Sequence, residues 1–200
     1  MSIEYEDIQG LVRFGYKHLT QACFLLLRIR NVEAARAWLA NAPVTNAILR
    51  KPPPSTALQI ALTSAGLHAL DVAPDIVDGF SAEFLAGMSS DSSRARRLGD
   101  LGANDPACWR WGGRQEDVPH LLVMLYAEHG ALDAWLQTVL AQCAAGFEQM
   151  ARLSTSDMDG FEPFGFRDGI SQPRIDWECE RAAHVHEQFE YTNLSCLGEY

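Results

Sequence analysis

Two stretches of this chain, with no internal sequence repeat between them, share one order of elements: a short apolar run, then an apolar pattern at helical spacing. Residues 22–29 (Ala-Cys-Phe-Leu-Leu-Leu-Arg-Ile) form the first run. Its length fits a strand buried on both faces, with a buried helix segment as the alternative. Asn31 then offers an N-cap, and Val32, Ala35, Trp38, Leu39 and Ala42 follow at helical spacing until Pro43 ends the pattern. Residues 119–127 (Pro-His-Leu-Leu-Val-Met-Leu-Tyr-Ala) form the second run. After it, Leu132, Trp135, Leu136, Val139, Leu140 and Cys143 fall on one face of an amphipathic helix, with Gly146 placed to end it. Each pair leads to a further strand. Leu58, Ile60 and Leu62 alternate with Gln59 and Ala61 beyond the rigid Lys51-Pro-Pro-Pro-Ser55 connector, and Phe147 to Leu153 follow Gly146. The order β-α-β, insertion, β-α-β predicts an α+β fold: a ferredoxin-like antiparallel sheet with helices packed on one face.

The insertion, about residues 71–118, is less regular. Pro74, Gly79, Gly99, Gly102, Pro106, Gly112 and Gly113 signal turns. Ser64 is expected to cap a short helix reaching about Leu70, and Phe80 to Met88 another. Trp109 and Trp111 suggest that the long loop is anchored on the core. The expected division is a ferredoxin-like domain over residues 1–160, containing that insertion, and a separate segment over 161–200.

Bulk properties narrow the function classes. A chain of 200 residues with 48% apolar and 21% charged residues can bury a real core and is not globally disordered. The net charge of −10 argues against a nucleic-acid partner. Arg94, Arg96 and Arg97 are the dense basic cluster, read as a solvated surface turn. No run approaches the roughly 18 apolar residues of a membrane span. The start, Met1-Ser-Ile-Glu-Tyr-Glu-Asp7, is acidic where a signal peptide is basic and then apolar, so a cytoplasmic setting is expected. Five cysteines, at 23, 108, 143, 179 and 196, include no Cys-x-x-Cys pair and read as reduced thiols, mostly buried.

The stretch that suggests chemistry is Phe164-Gly-Phe-Arg-Asp-Gly-Ile-Ser-Gln-Pro173. Gly165 and Gly169 bracket Asp168, and glycine lets a backbone approach a ligand closely. Pro173 fixes its own φ and pushes Gln172 towards an extended conformation. A carboxylate presented on such a loop is a candidate acid/base. The plain alternative is an aspartate capping a turn.

This run resembles the Gly-x-x-Asp-Gly signature of the dye-decolorizing peroxidases, a haem enzyme family. Asp7-Ile-Gln-Gly10 followed by Gly15-Tyr-Lys-His-Leu19 resembles the opening of those proteins, and Phe80 to Met88 resembles another family segment. The similarity spans about residues 7–200. It implies two ferredoxin-like units with haem b held between sheet and helices, this chain being the N-terminal half. It implies Asp168 as the distal acid/base. Gly165, Phe166, Gly169, Ile170 and Ser171 would lie against the haem, with hydrogen peroxide and an organic reductant as substrates. The family's proximal histidine and distal arginine come from the C-terminal half, so no metal ligand is assigned here.

The other candidates are weaker. His184 and His186 near Cys179 have loose metal-ligand spacing, against a reading as a solvated or helical surface segment. Asp157 to Glu162 lacks the twelve-residue spacing of a calcium loop. The competing class is a non-catalytic ferredoxin-like module that self-associates or pairs with another chain to cover its sheet.

Overall fold

A computed structural model describes residues 3–155 and the backbone of two further short strands, Arg174–Asp176 and Tyr191–Asn193. Four strands build one antiparallel sheet: β1 (Gln21–Ile29), β2 (Thr56–Leu62), β3 (Leu121–Ala127) and β4 (Phe147–Ser154). Their spatial order is β2-β3-β1-β4, so the first and third strands lie at the centre. With α1 (Val32–Asn41) after β1 and, as α6 below, Leu132–Cys143 after β3, this is the ferredoxin-like α+β arrangement expected from the sequence. Both apolar runs are strands, which resolves the open choice at 22–29.

The strand period of two divides the apolar residues between the faces. Cys23, Leu25, Leu27 and Ile29 of β1, and Leu121, Val123, Leu125 and Ala127 of β3, point to the helix side. There they pack with Ala35 and Trp38 of α1 and with Leu132, Leu136, Val139 and Cys143. Trp38 and Phe147 meet edge to face with centroids 5.4 Å apart. Burying each Leu or Val of this layer is worth roughly 1.5–3 kcal/mol, which makes it the main stabilising element. Asn31 caps α1 as expected, its side chain accepting from the Ala34 N–H at 2.9 Å.

Between β2 and β3 run α2 (Ser64–Ala69), α3 (Pro74–Val77), α4 (Ala82–Ala86) and α5 (Ser92–Leu98), then three short 3₁₀ turns. Helix α6 (Leu132–Cys143) follows β3. The insertion is therefore more regular than its sequence suggests. Helices of four to seven residues are too short to show a period.

Four local expectations are corrected. Thr63, not Ser64, caps α2: its hydroxyl accepts from the Gly66 N–H at 3.1 Å and donates to the Pro119 carbonyl at 2.7 Å, while Ser64 Oγ donates to Leu85. Gly146 does not adopt a left-handed cap. A Cβ there would sit 2.6 Å from the Ala35 nitrogen, so glycine lets β4 start against α1. The Arg94 cluster lies on α5 rather than in a turn, and Arg94 Nη1 donates to the Gly87 carbonyl at 2.8 Å. Trp109 and Trp111 do not anchor the loop on the core. The Trp109 indole N–H is used within the loop, on the Asn104 carbonyl at 2.9 Å, and Trp111 is exposed.

Candidate functional site

Asp168 and the residues grouped with it, Gly165, Phe166, Gly169, Ile170 and Ser171, lie outside the described residues. So do Cys179, His184, His186 and the Asp157–Glu162 stretch. The frame that leads to them is described. β4 pairs along the edge of β1, and Thr155 closes the pairing by donating from its N–H and its hydroxyl to the Ala22 carbonyl at 3.4 and 3.3 Å. The chain thus leaves the sheet beside the start of β1. Further along, β5 (Arg174–Asp176) and β6 (Tyr191–Asn193) pair in parallel, outside the four-stranded sheet.

The second face of the sheet carries none of the helix-packed residues. Its β2–β3 half is covered by the N-terminal segment, where Tyr16 and Leu19 pack on Ala57 with Phe14 and Tyr126 beside them. The aromatic rings run in series: Phe14–Tyr16 at 6.3 Å, Tyr16–Tyr126 at 5.4 Å, Tyr126–Phe24 at 6.1 Å between centroids. Burial is the main cause holding both tyrosine hydroxyls above their ordinary pKa, and Tyr126 adds to the effect on Tyr16. Tyr16 has φ of +48°, a backbone conformation uncommon outside glycine, and it is nearly fully buried.

Gln59 organises this cover. It is the fully buried polar side chain among the described residues, 1% exposed. Its Nε2 donates to the Thr45 carbonyl at 2.8 Å and to Tyr16 Oη at 3.3 Å, and its Oε1 accepts from the Leu11 N–H at 3.0 Å. One side chain so links the N-terminal segment, the Thr45 loop and β2. A buried amide is tolerated because its partners are supplied. The alternation of β2 marked Gln59 only as a polar position; the partners that make it structural come from distant segments.

The other half of this face, over β1 and β4, bears Phe24, Leu26, Ala151 and Leu153, register neighbours outside both apolar clusters; Leu26 is buried and Phe24 and Ala151 are half-buried. Leu153 is 38% exposed. Arg30 and Glu148 form an ion pair at the other end of the β1–β4 pair.

Two histidines and two cysteines among the described residues serve the structure. His120 Nδ1 accepts from the Ile29 N–H at 3.2 Å, which requires an unprotonated nitrogen there. Burial first, then Arg28 and Arg30, holds its pKa below the usual histidine value. His18 Nε2 is 2.9 Å from the Pro54 carbonyl. Burial raises the thiol pKa of Cys23, with Arg152 opposing, and raises that of Cys143, so neither is activated as a thiolate. Cys23 and Cys143 are buried as expected, but Cys108 is exposed; the three are free thiols. Among the described residues no group of three or more His, Cys, Asp or Glu is placed to hold a metal ion, and no helix is long and apolar enough to cross a membrane.

Comparison with known proteins places this frame. No family model matches the chain. A dye-decolorizing peroxidase of Mycetinis scorodonius is 29% identical over 184 residues, covering 85% of this chain and 33% of the relative. One from Exidia glandulosa is 27% identical over 184 residues, covering 87% of this chain and 35% of the relative. Among solved structures, a DyP-type peroxidase from Auricularia auricula-judae superposes with a TM-score of 0.69 at 22% identity, over 92% of this chain and 40% of its own. A dye-decolorizing peroxidase in complex with cyanide gives 0.71 at 20% identity, over 97% of this chain and 44% of its own. The chain spans about a third of the length of the curated relatives it matches. Over that third, this chain is similar in sequence to dye-decolorizing peroxidases and shares their fold.

Proposed function

We propose that this chain is the N-terminal part of a haem peroxidase of the dye-decolorizing type, which reduces hydrogen peroxide while oxidising an organic donor such as a dye or phenol. The observation that carries the reading is the coincidence of the Gly165–Gly169 motif with a likeness that runs along most of the chain. Haem b, if bound in the complete protein, would supply redox-active iron for peroxide reduction. Asp168 takes a proton from one peroxide oxygen and delivers it to the other, the leaving oxygen, as a general acid/base. Gly165 and Gly169 leave room for the loop to approach the ligand, with Phe166, Ile170 and Ser171 lining the same side. The described histidines do not offer an iron ligand: His18 and His120 are hydrogen-bonded to backbone, and His68 and His129 are on the surface. By the family resemblance, the proximal histidine and a charge-stabilising arginine are expected from the C-terminal half. The 161–200 segment serves as the distal loop and the connection to that half.

A carboxylate with pKa near 4 remains a competent base in acid, so turnover should favour acidic pH. The test is Asp168→Asn in the complete, haem-loaded protein. We expect peroxide turnover to fall by roughly 10²–10⁴-fold with the Soret band retained. Unchanged turnover, or a rate optimum above pH 8 in the wild type, would remove the acid/base assignment.

A second reading has one observation in its favour. On the β1–β4 half of the second sheet face, Leu153 is 38% exposed and Phe24 half-buried. A non-catalytic module that pairs there with another chain would bury the same residues. Adding hemin to residues 1–200 separates the two. A Soret band with peroxide-dependent dye bleaching favours the enzyme; neither, even after addition of the C-terminal half, favours the module.

A further inference from the structure

We infer that the cavity between residues 13–18 and 45–54 is a binding site for a small aromatic organic anion, separate from the Asp168 loop and independent of the peroxidase reading. It encloses about 350 Å³, within the usual range for small-molecule pockets. Its apolar walls include Phe14, Ile48, Leu49 and Pro53. Ile48 is 41% exposed and Leu49 63%, so two large aliphatic side chains remain open to solvent at one place. Single exposed apolar residues are ordinary, but several around a concavity are the mark of a ligand site.

The charge is as specific as the shape. Arg13, Lys17, His18 and Arg50 line the cavity and no Asp or Glu does, on a chain whose net charge is −10. Among the described residues none of Arg13, Lys17 and Arg50 is in an ion pair. A basic concavity with no internal counter-charge favours an anion, and the apolar walls require that the anion carry an organic body. Inorganic phosphate alone would leave Ile48 and Leu49 in water.

The walls are held before any ligand arrives. Arg13 Nη1 donates to the Ala47 carbonyl at 3.0 Å, and its guanidinium lies 4.0 Å from the Tyr5 ring centroid and 5.5 Å from that of Phe14. His18 is hydrogen-bonded to Pro54 across the two segments, and Thr45 is tied to Leu58 of β2 from its N–H at 2.9 Å. Pre-formed walls lower the ordering cost of binding. A two-ring carboxylate would lie against Phe14 and Leu49 with its charge near Lys17 and Arg50.

The test is a fluorescence titration of the chain with 2-naphthoate, its neutral amide 2-naphthamide and the cation 2-naphthylmethylamine, at low salt and pH 7. We expect saturable 2-naphthoate binding at least tenfold tighter than either analogue. The double variant Lys17→Glu/Arg50→Glu should weaken it at least tenfold and remove the preference for the anion. Leu49→Asp should weaken it similarly. Lys17, Leu49 and Arg50 are exposed, so the variants should fold, and far-UV circular dichroism checks this. No saturable binding, equal affinity for the amide, or undiminished binding in both folded variants overturns the assignment.

Discussion

The side-chain amide of Gln9 meets the main chain of Ile60 as a neighbouring strand would. Its Nε2 donates to the Ile60 carbonyl and its Oε1 accepts from the Ile60 N–H, both at 2.8 Å. β2 is an edge strand, and Thr45 occupies the next pair of groups at Leu58, its backbone N–H donating to the Leu58 carbonyl at 2.9 Å and its Oγ1 accepting from the Leu58 N–H at 3.1 Å. The open edge that would invite another chain is thus closed at these positions by the Gln9 side chain and by the backbone and hydroxyl of Thr45. Gln9→Ala should cost about 1–2 kcal/mol, the loss of two partly buried hydrogen bonds. Urea unfolding should show a lower midpoint with the slope unchanged, and an unchanged midpoint would show that water replaces the amide at no cost.

Gln59 and Tyr16 allow a sharper comparison. Gln59→Leu leaves the Leu11 N–H without its partner and should cost about 1–3 kcal/mol. Tyr16→Phe removes a longer hydrogen bond, 3.3 Å, while the Gln59 amide keeps the Thr45 carbonyl. Its cost should be smaller, about 0.5–1.5 kcal/mol. The order of the two midpoints in denaturant checks the argument, and a reversed order counts against Gln59 as the organising residue.

Gly146 provides a steric test. A Cβ there would sit 2.6 Å from the Ala35 nitrogen, so its absence lets the chain pass α1 into β4, and its carbonyl accepts from the Arg30 and Asn31 N–H groups. Gly146→Ala should therefore destabilise by roughly 1–3 kcal/mol, the scale of overpacking. If glycine served only as a chain terminator for α6, alanine would be nearly neutral, and a thermal melt distinguishes the cases.

His120 predicts a pH dependence. Its folded pKa lies below the unfolded value near 6.5, so the unfolded chain binds its proton more readily. The stability tied to the neutral ring is present above about pH 6.5 and is lost as pH falls through the depressed folded value. The lost contact is the Ile29 N–H to Nδ1 bond that joins the end of β1 to the entry of β3. Denaturant midpoints from pH 7.5 to pH 5 should fall more steeply for the wild type than for His120→Gln. Parallel profiles would mean that other groups set the acid sensitivity.

The long elements were legible because period and length agree: nine apolar-rich residues for β1, and a full amphipathic stripe for α6. The cap of α2 was misassigned to Ser64 and the role of Gly146 was misread because both depend on what lies across the fold, the Pro119 carbonyl that holds Thr63 in one case and Ala35 in the other. Trp111 was misread because size alone suggested burial, whereas its loop packs on itself. The Asp168 run stands out in the sequence because its residues are adjacent, and it lies outside the described residues. The basic cavity was not, since its walls come from two segments and its charge shows only when Lys17 and Arg50 share one concavity.

The sheet order has a consequence for how the molecule is made. β1 pairs at the centre with β3, so residues around 21–27 wait for partners around 121–127. Closing a loop of that length carries an entropic cost before any pairing rewards it, and such topologies fold slowly. At a synthesis rate of roughly 5–20 residues per second, the apolar β1 strand remains without its central neighbour for about 5–20 s after it is made. During that interval the nascent chain presents Leu25, Leu26 and Leu27 unpaired, which makes them the place where a chaperone would bind or where aggregation would begin.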